Sequence, residues 1–156
     1  MSSQHLLEPA PPLSTARTVA RVALGAMLLF TGISHLTFAR REFIAQVPKS
    51  LPLSDDTVVV VSGAIELLIG ASLIALPRRR IPVGLGTAAF FIAIFPGNVA
   101  QYLNGVDAFG LDTDGKRFAR LFFQPLLVAW ALQSTGSWEW LRGKRDVPPM
   151  ASGEPR

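Results

Sequence analysis

Apolar residues fill four stretches of this chain, at about residues 18–38, 57–76, 82–103 and 118–136, and charged residues crowd into the segments between them. Each stretch matches the ~20 residues an α-helix needs to cross the hydrocarbon core of a bilayer. Small and polar residues recur within each at helical spacing. Gly25, Leu28, Gly32 and His35 share one face of the first, and Ser62, Glu66 and Gly70, with Gly63, one face of the second. Gly84, Thr87, Phe91, Ile94, Asn98 and Gln101 form a stripe along the third. In the fourth, Arg117, Arg120 and Gln124 open one face, beside Pro125. A helix in lipid turns such a stripe toward its neighbours. The pattern predicts an all-α fold, an integral membrane four-helix bundle with a polar interior, over residues 18–138.

Residues 1–17 and 139–156 are rich in Pro, Ser and charge without a periodic apolar face, and read as disordered tails. Residues 39–56 read as a loop whose first half, Arg40 to Val47, makes a short helix in the headgroup region. The second run stops at Pro77, Pro96 predicts a kink in the third, and Trp138 and Trp140 suit an interfacial aromatic belt. A cleaved signal peptide is the rival reading of the first run. That run is too long for a signal core, and no small-x-small cleavage site follows it.

A length of 156 residues is one domain's worth, and the net charge of +4 raises the question of nucleic acid. The basic residues flank apolar runs, however, and set topology rather than form a phosphate-binding face. With four spans both termini share a side. That side carries eight basic residues (Arg17, Arg21, Arg78, Arg79, Arg80, Arg142, Lys144, Arg145) against six on the other (Arg40, Arg41, Lys49, Lys116, Arg117, Arg120). The triple arginine in a very short loop puts both termini in the cytoplasm.

The chain has no cysteine, which excludes a disulfide relay, a thiolate-held iron–sulfur cluster and a cysteine nucleophile. His5 lies in the N-terminal tail, so His35 has no imidazole partner for a bis-histidine haem. No phosphate-binding loop, dinucleotide fingerprint or serine-hydrolase elbow is present. Asp112-x-Asp114-Gly115 reads as a turn rather than a calcium loop, because Lys116 stands at the next ligand position. No metal site is expected.

What remains is the polar residues inside the spans. A carboxylate at Glu66, near the middle of its run, costs at least ~2.5 kcal/mol of insertion energy unless protonated or paired. At a rise of about 1.5 Å per residue, Glu66 lies ~13 Å from the outer end of its span, with His35 at ~5 Å, Asn98 at ~8 Å, Gln124 at ~9 Å and Arg120 at ~3 Å. His35, Glu66, Asn98, Arg120 and Gln124 are therefore expected to converge on one polar pocket opening outward, with Arg120 reaching inward toward the carboxylate. Plainer readings stand beside this one. Asn98 and Gln124 serve as helix–helix glue, His35 as a structural hydrogen-bond partner, and Arg120 snorkels to the interface.

Several short motifs appear in order over about residues 20–136: Gly32-x-x-His35-Leu36, Val47-Pro48-x-x-Leu51-Pro52, Ser62-Gly63-x-x-Glu66-Leu67-x-x-Gly70, Phe95-Pro96-Gly97-Asn98-Val99 and Arg120-x-x-x-Gln124-Pro125. Together they resemble the DoxX family of small four-span bacterial membrane proteins, with Gly97 where alanine is expected. The resemblance implies a multi-pass protein of the bacterial inner membrane. The family takes its name from a subunit of a thiosulfate:quinone oxidoreductase, its distant relatives include membrane chaperones, and it supplies no agreed catalytic residues.

Three functions follow as expectations. The first is a redox-associated subunit binding a quinone or similar lipophile, with any flavin or metal supplied by a partner protein. The second is an assembly, chaperone or interaction component whose polar interior is structural. The third is a proton-coupled transporter, which four spans without an internal repeat would build only by homo-oligomerising. The expected partners are the bilayer, a membrane or redox protein, or further copies of the chain, and not nucleic acid. No enzyme acting alone is expected.

Overall fold

A computed structural model describes residues 12–143. Six α-helices follow in order: α1 (Thr15–Leu36), α2 (Arg40–Ala45), α3 (Asp55–Ala75), α4 (Arg80–Leu103), α5 (Asp114–Thr135) and α6 (Ser137–Leu141). A 3-10 turn at Pro77–Arg79 joins α3 to α4, and no strand occurs among the described residues. Side-chain hydroxyls set three of the starts. Ser14, Ser54 and Thr113 accept the N–H of Arg17, Thr57 and Lys116 at 3.4, 3.2 and 3.3 Å, and each satisfies a donor that the first helical turn leaves free.

Helix α1 begins three residues before the predicted span, and α6 occupies Ser137–Leu141. The segments expected to be disordered thus contain helix at residues 15–17 and 139–141. The capping Ser14 accounts for the first, and an ion pair between Arg17 and Glu139 ties the two ends together. The rest of the tail expectation, at residues 1–11 and 144–156, lies outside the described residues.

The long helices pack chiefly as two antiparallel pairs, α1 with α3 and α4 with α5; α1 also touches α5, and α3 touches α4. Glycine sets the first crossing. A Cβ at Gly32 would stand 2.9 Å from the Gly63 carbonyl, and one at Gly70 2.7 Å from that of Gly25. The two backbones touch where any side chain would separate them. Across the pairs, the Trp130 indole donates to the Ala20 carbonyl at 3.0 Å. Leu24, Leu28, Leu73, Ala88, Phe91, Ala131 and Leu132 form the apolar core.

The distribution of polarity is inverted relative to a water-soluble helical protein. On α3, Glu66 is 5% exposed while Leu68 is 69% exposed. Thr87, Gln101, Gln124 and Thr135 are buried, whereas Phe30, Ile92, Phe122, Phe123 and Leu126 face outward. Large contiguous apolar surface with polar groups inside needs an apolar surrounding. Among the described residues, three segments are long and apolar enough to cross a membrane: Thr15–Leu36, Asp55–Ala75 and Pro77–Leu103. The fourth expected span, on α5, falls short of them in hydropathy because Arg120, Gln124, Pro125 and Gln133 interrupt it.

Candidate functional site: a polar-lined cavity between the helix pairs

The five residues singled out from the sequence line one cavity of about 520 Å³. His35 comes from α1, Glu66 from α3, Asn98 from α4, and Arg120 and Gln124 from α5. Most of the remaining wall is apolar, including Met27, Phe90, Phe91, Ile94 and Leu127. Helix α2 and the chain after it supply Phe43, Gln46, Val47 and Pro48.

On one side, the glycine crossing brings His35 against Glu66. His35 Nδ1 lies 2.9 Å from the Thr31 carbonyl and 3.0 Å from Glu66 Oε2. A carbonyl oxygen only accepts, so Nδ1 carries a hydrogen and donates to Thr31. That N–H points at the Thr31 carbonyl, and its contact with Glu66 Oε2 lacks hydrogen-bond geometry. Glu66 Oε2 is consequently buried with no hydrogen-bond donor among the described residues, although the imidazole is in contact with it. Burying a carboxyl oxygen without a donor is costly, and native proteins seldom do so without a reason.

The other side is a continuous hydrogen-bonded chain. Gln124 donates to the Phe91 carbonyl and accepts from Asn98 Nδ2 at 2.9 Å. Arg120 Nε donates to Asn98 Oδ1 at 3.1 Å, and its Nη2 to Gln46 Oε1 at 3.4 Å. Gln46 in turn donates to Gln101 at 2.8 Å. Gln101 closes the chain on the carbonyls of Val106 and Ala108 at 3.3 and 3.4 Å. The expected approach of Arg120 to Glu66 is not what forms. Among the described residues no carboxylate lies within ion-pair distance of Arg120, whose guanidinium is held by two neutral amides.

Aromatic rings bridge the two sides. His35 stacks on Phe43 with centroids 3.3 Å apart and planes 16° apart, and Phe109 meets Phe43 edge-on at 4.7 Å. Arg120 Cζ lies 5.5 Å from the Phe109 centroid. Phe109 has φ 55°, a left-handed backbone rare for a bulky residue, and its N–H donates to Glu42 Oε2 at 2.6 Å. Sequence reasoning missed Gln46 and Phe43, which line the cavity, and Gln101 and Phe109, which contact its lining residues. Gln101 lay on the stripe already noted in the third run, one turn beyond Asn98, and was the one most open to inference.

The turn before α5 has its own partners. Asp112 pairs with Lys116 at 2.7 Å, and Asp114 with Arg117 at 2.8 Å. Arg117 is buried and also pairs with Asp107, so it belongs to this loop and not to the cavity.

Comparison with curated proteins and with solved structures gives no match. A family model does match, over residues 24–135, a range that takes in most of α1, all of α3, α4 and α5, and every cavity residue named above. This chain belongs to the family described as "Domain of unknown function (DUF8561)".

Proposed function

We propose that the chain is an integral membrane four-helix bundle of DoxX-like type, with α5 as its fourth span and both termini in the cytoplasm. Its cavity takes up a lipophilic molecule with a carbonyl-like polar end, a quinone being the best candidate, as the ligand-binding subunit of a membrane redox system. The observation that carries this reading is the buried Glu66 Oε2, in contact with His35 but without a hydrogen-bond donor among the described residues, in a largely apolar cavity.

The residues present fit such a ligand. The volume falls within the ~300–1,000 Å³ common for small-molecule sites, and convergent polar groups on an apolar wall give one orientation. Arg120 commits Nε and Nη2 to amides, which leaves Nη1 for a carbonyl oxygen. Glu66 Oε2 is placed to accept a ligand hydroxyl or to receive a proton, and His35, in contact with it, is the group through which that proton passes. A bound quinone would supply the two-electron chemistry: two electrons from a partner protein and two protons, one handed on by Glu66 and regained through His35 and the other from solvent, would make it the hydroquinone. Phe43, edge-on to Phe109, adds to the apolar wall around the carboxyl group.

The test is equilibrium binding of a short-chain quinone to the detergent-purified protein. Glu66→Gln and His35→Ala are expected to fold normally and to bind at least about tenfold more weakly, the equivalent of ~1.4 kcal/mol. Unchanged affinity in both variants would contradict the reading.

One observation favours the assembly or interaction role instead. The Gln124–Asn98–Arg120–Gln46–Gln101 chain is satisfied internally, as structural glue would be. On that reading Glu66→Gln changes neither binding nor phenotype.

A further inference from the structure

A second cavity, of about 360 Å³, lies at the opposite end of the helices and is lined by Pro12, Leu13, Thr18, Arg21, Pro77, Arg78 and Arg80. Three arginines line one hollow, and among the described residues its wall contains no carboxylate. Arg21 is the informative one. It sits on the seventh residue of α1, is 4% exposed, and has Nε and Nη1 buried without a hydrogen-bond partner among the described residues. Arg80 is fixed against the end of α5, where its Nη1 donates to the Thr135 carbonyl. Arg78 is exposed at the rim.

The surroundings have the same sign. The described residues at this end include Arg17, Arg21, Arg78, Arg79, Arg80 and Arg142, and the one carboxylate among them, Glu139, is engaged by Arg17. At the other end Arg40, Lys49, Lys116 and Arg117 each have an aspartate partner. A buried, unpaired guanidinium is strongly unfavourable, and its planar fork of donors matches the oxygens of a phosphate. Basic pockets between helices at a membrane surface suit phosphate-bearing groups for that reason.

We propose that this cavity holds the phosphate of an anionic phosphate ester, with Arg21 as the buried anchor and Arg78 at the mouth. The inference rests on the arginine cavity alone and is independent of what the Glu66 cavity binds. A lipid headgroup and a free phosphate share this chemistry, and the two sources separate experimentally.

Thermal unfolding of the full chain in phospholipid-free maltoside micelles is measured with inorganic phosphate, with sodium chloride at matched ionic strength, and with phosphatidylglycerol or phosphatidylcholine in mixed micelles. The wild-type midpoint is expected to rise with phosphate or phosphatidylglycerol beyond the chloride and phosphatidylcholine controls. A response to phosphatidylglycerol alone assigns a lipid headgroup, and a response to inorganic phosphate assigns a free anion. Arg21→Gln is expected to lose about tenfold or more in apparent affinity, and Arg78→Gln to lose less. Without ligand, Arg21→Gln is expected to unfold no earlier than wild type, because it removes an unpaired charge. No wild-type response beyond the controls, or a full response in Arg21→Gln, overturns the proposal. If Arg21→Gln does not fold, an undiminished response in the exposed Arg78→Gln overturns it equally.

Discussion

Single side chains in the cavity divide by whether their hydrogen bonds are complete. Asn98 both donates to Gln124 and accepts from Arg120, so Asn98→Ala strands two partners at once. A loss of roughly 1–3 kcal/mol is expected, read as an earlier thermal unfolding midpoint in detergent. Glu66→Gln should differ in kind. It removes a buried carboxyl group whose Oε2 has no donor, so stability is expected to hold or rise while ligand binding falls. The heights of these residues along their helices follow from helical rise and so from the sequence. The partner of Arg120 does not. Helical periodicity says which face a side chain occupies but not which helix stands opposite, and Gln46 and Asn98 reached the guanidinium first. Gln46 and Phe43 escaped notice because a six-residue helix carries too little periodicity to show which face turns inward.

Helices meet where their smallest residues coincide. A methyl group added at Gly63 would stand 2.8 Å from His35 Cβ, so Gly63→Ala is expected to push α1 off α3 just beside the His35–Glu66 contact. Overpacking of this kind costs about 1–3 kcal/mol. Circular-dichroism melts should show that loss, with ligand affinity falling alongside it. The glycine stripes were readable from their spacing, and the crossing lies where they predicted. The tie between α1 and α6 was not readable, because Arg17 and Glu139 are 122 residues apart. Burial would raise the Glu139 carboxyl, but the hydrogen bond and charge of Arg17, with its own backbone N–H and the charge of Arg80, hold it below the usual carboxylate range. A carboxyl depressed in the folded state stabilises above its ordinary value, near ~4.3, and loses that contribution as pH falls through the folded value. Wild type should therefore exceed Glu139→Gln in stability at neutral pH, by no more than ~1 kcal/mol for a partly exposed pair, and the gap in melting temperature should close toward pH 3.

At the scale of the molecule, polar groups are buried beside the apolar core, many large apolar side chains face outward, and α5 is the helix on which the membrane reading turns. Its first two turns hold Asp114, Lys116, Arg117 and Arg120, yet Phe118, Phe122, Phe123 and Leu126 lie exposed along it. Hydropathy averages both faces of a helix and so undercounts one whose polar face is buried against α4. The absence of native cysteine makes a direct test clean. Single cysteines replace Ser14, Asp112 and Arg142, and a membrane-impermeant maleimide is applied to sealed vesicles of known orientation. If α5 crosses the bilayer, Arg142→Cys is labelled from the same side as Ser14→Cys, and Asp112→Cys from the opposite side. Labelling of Arg142→Cys together with Asp112→Cys would contradict the four-span bundle on which the cavity's setting depends.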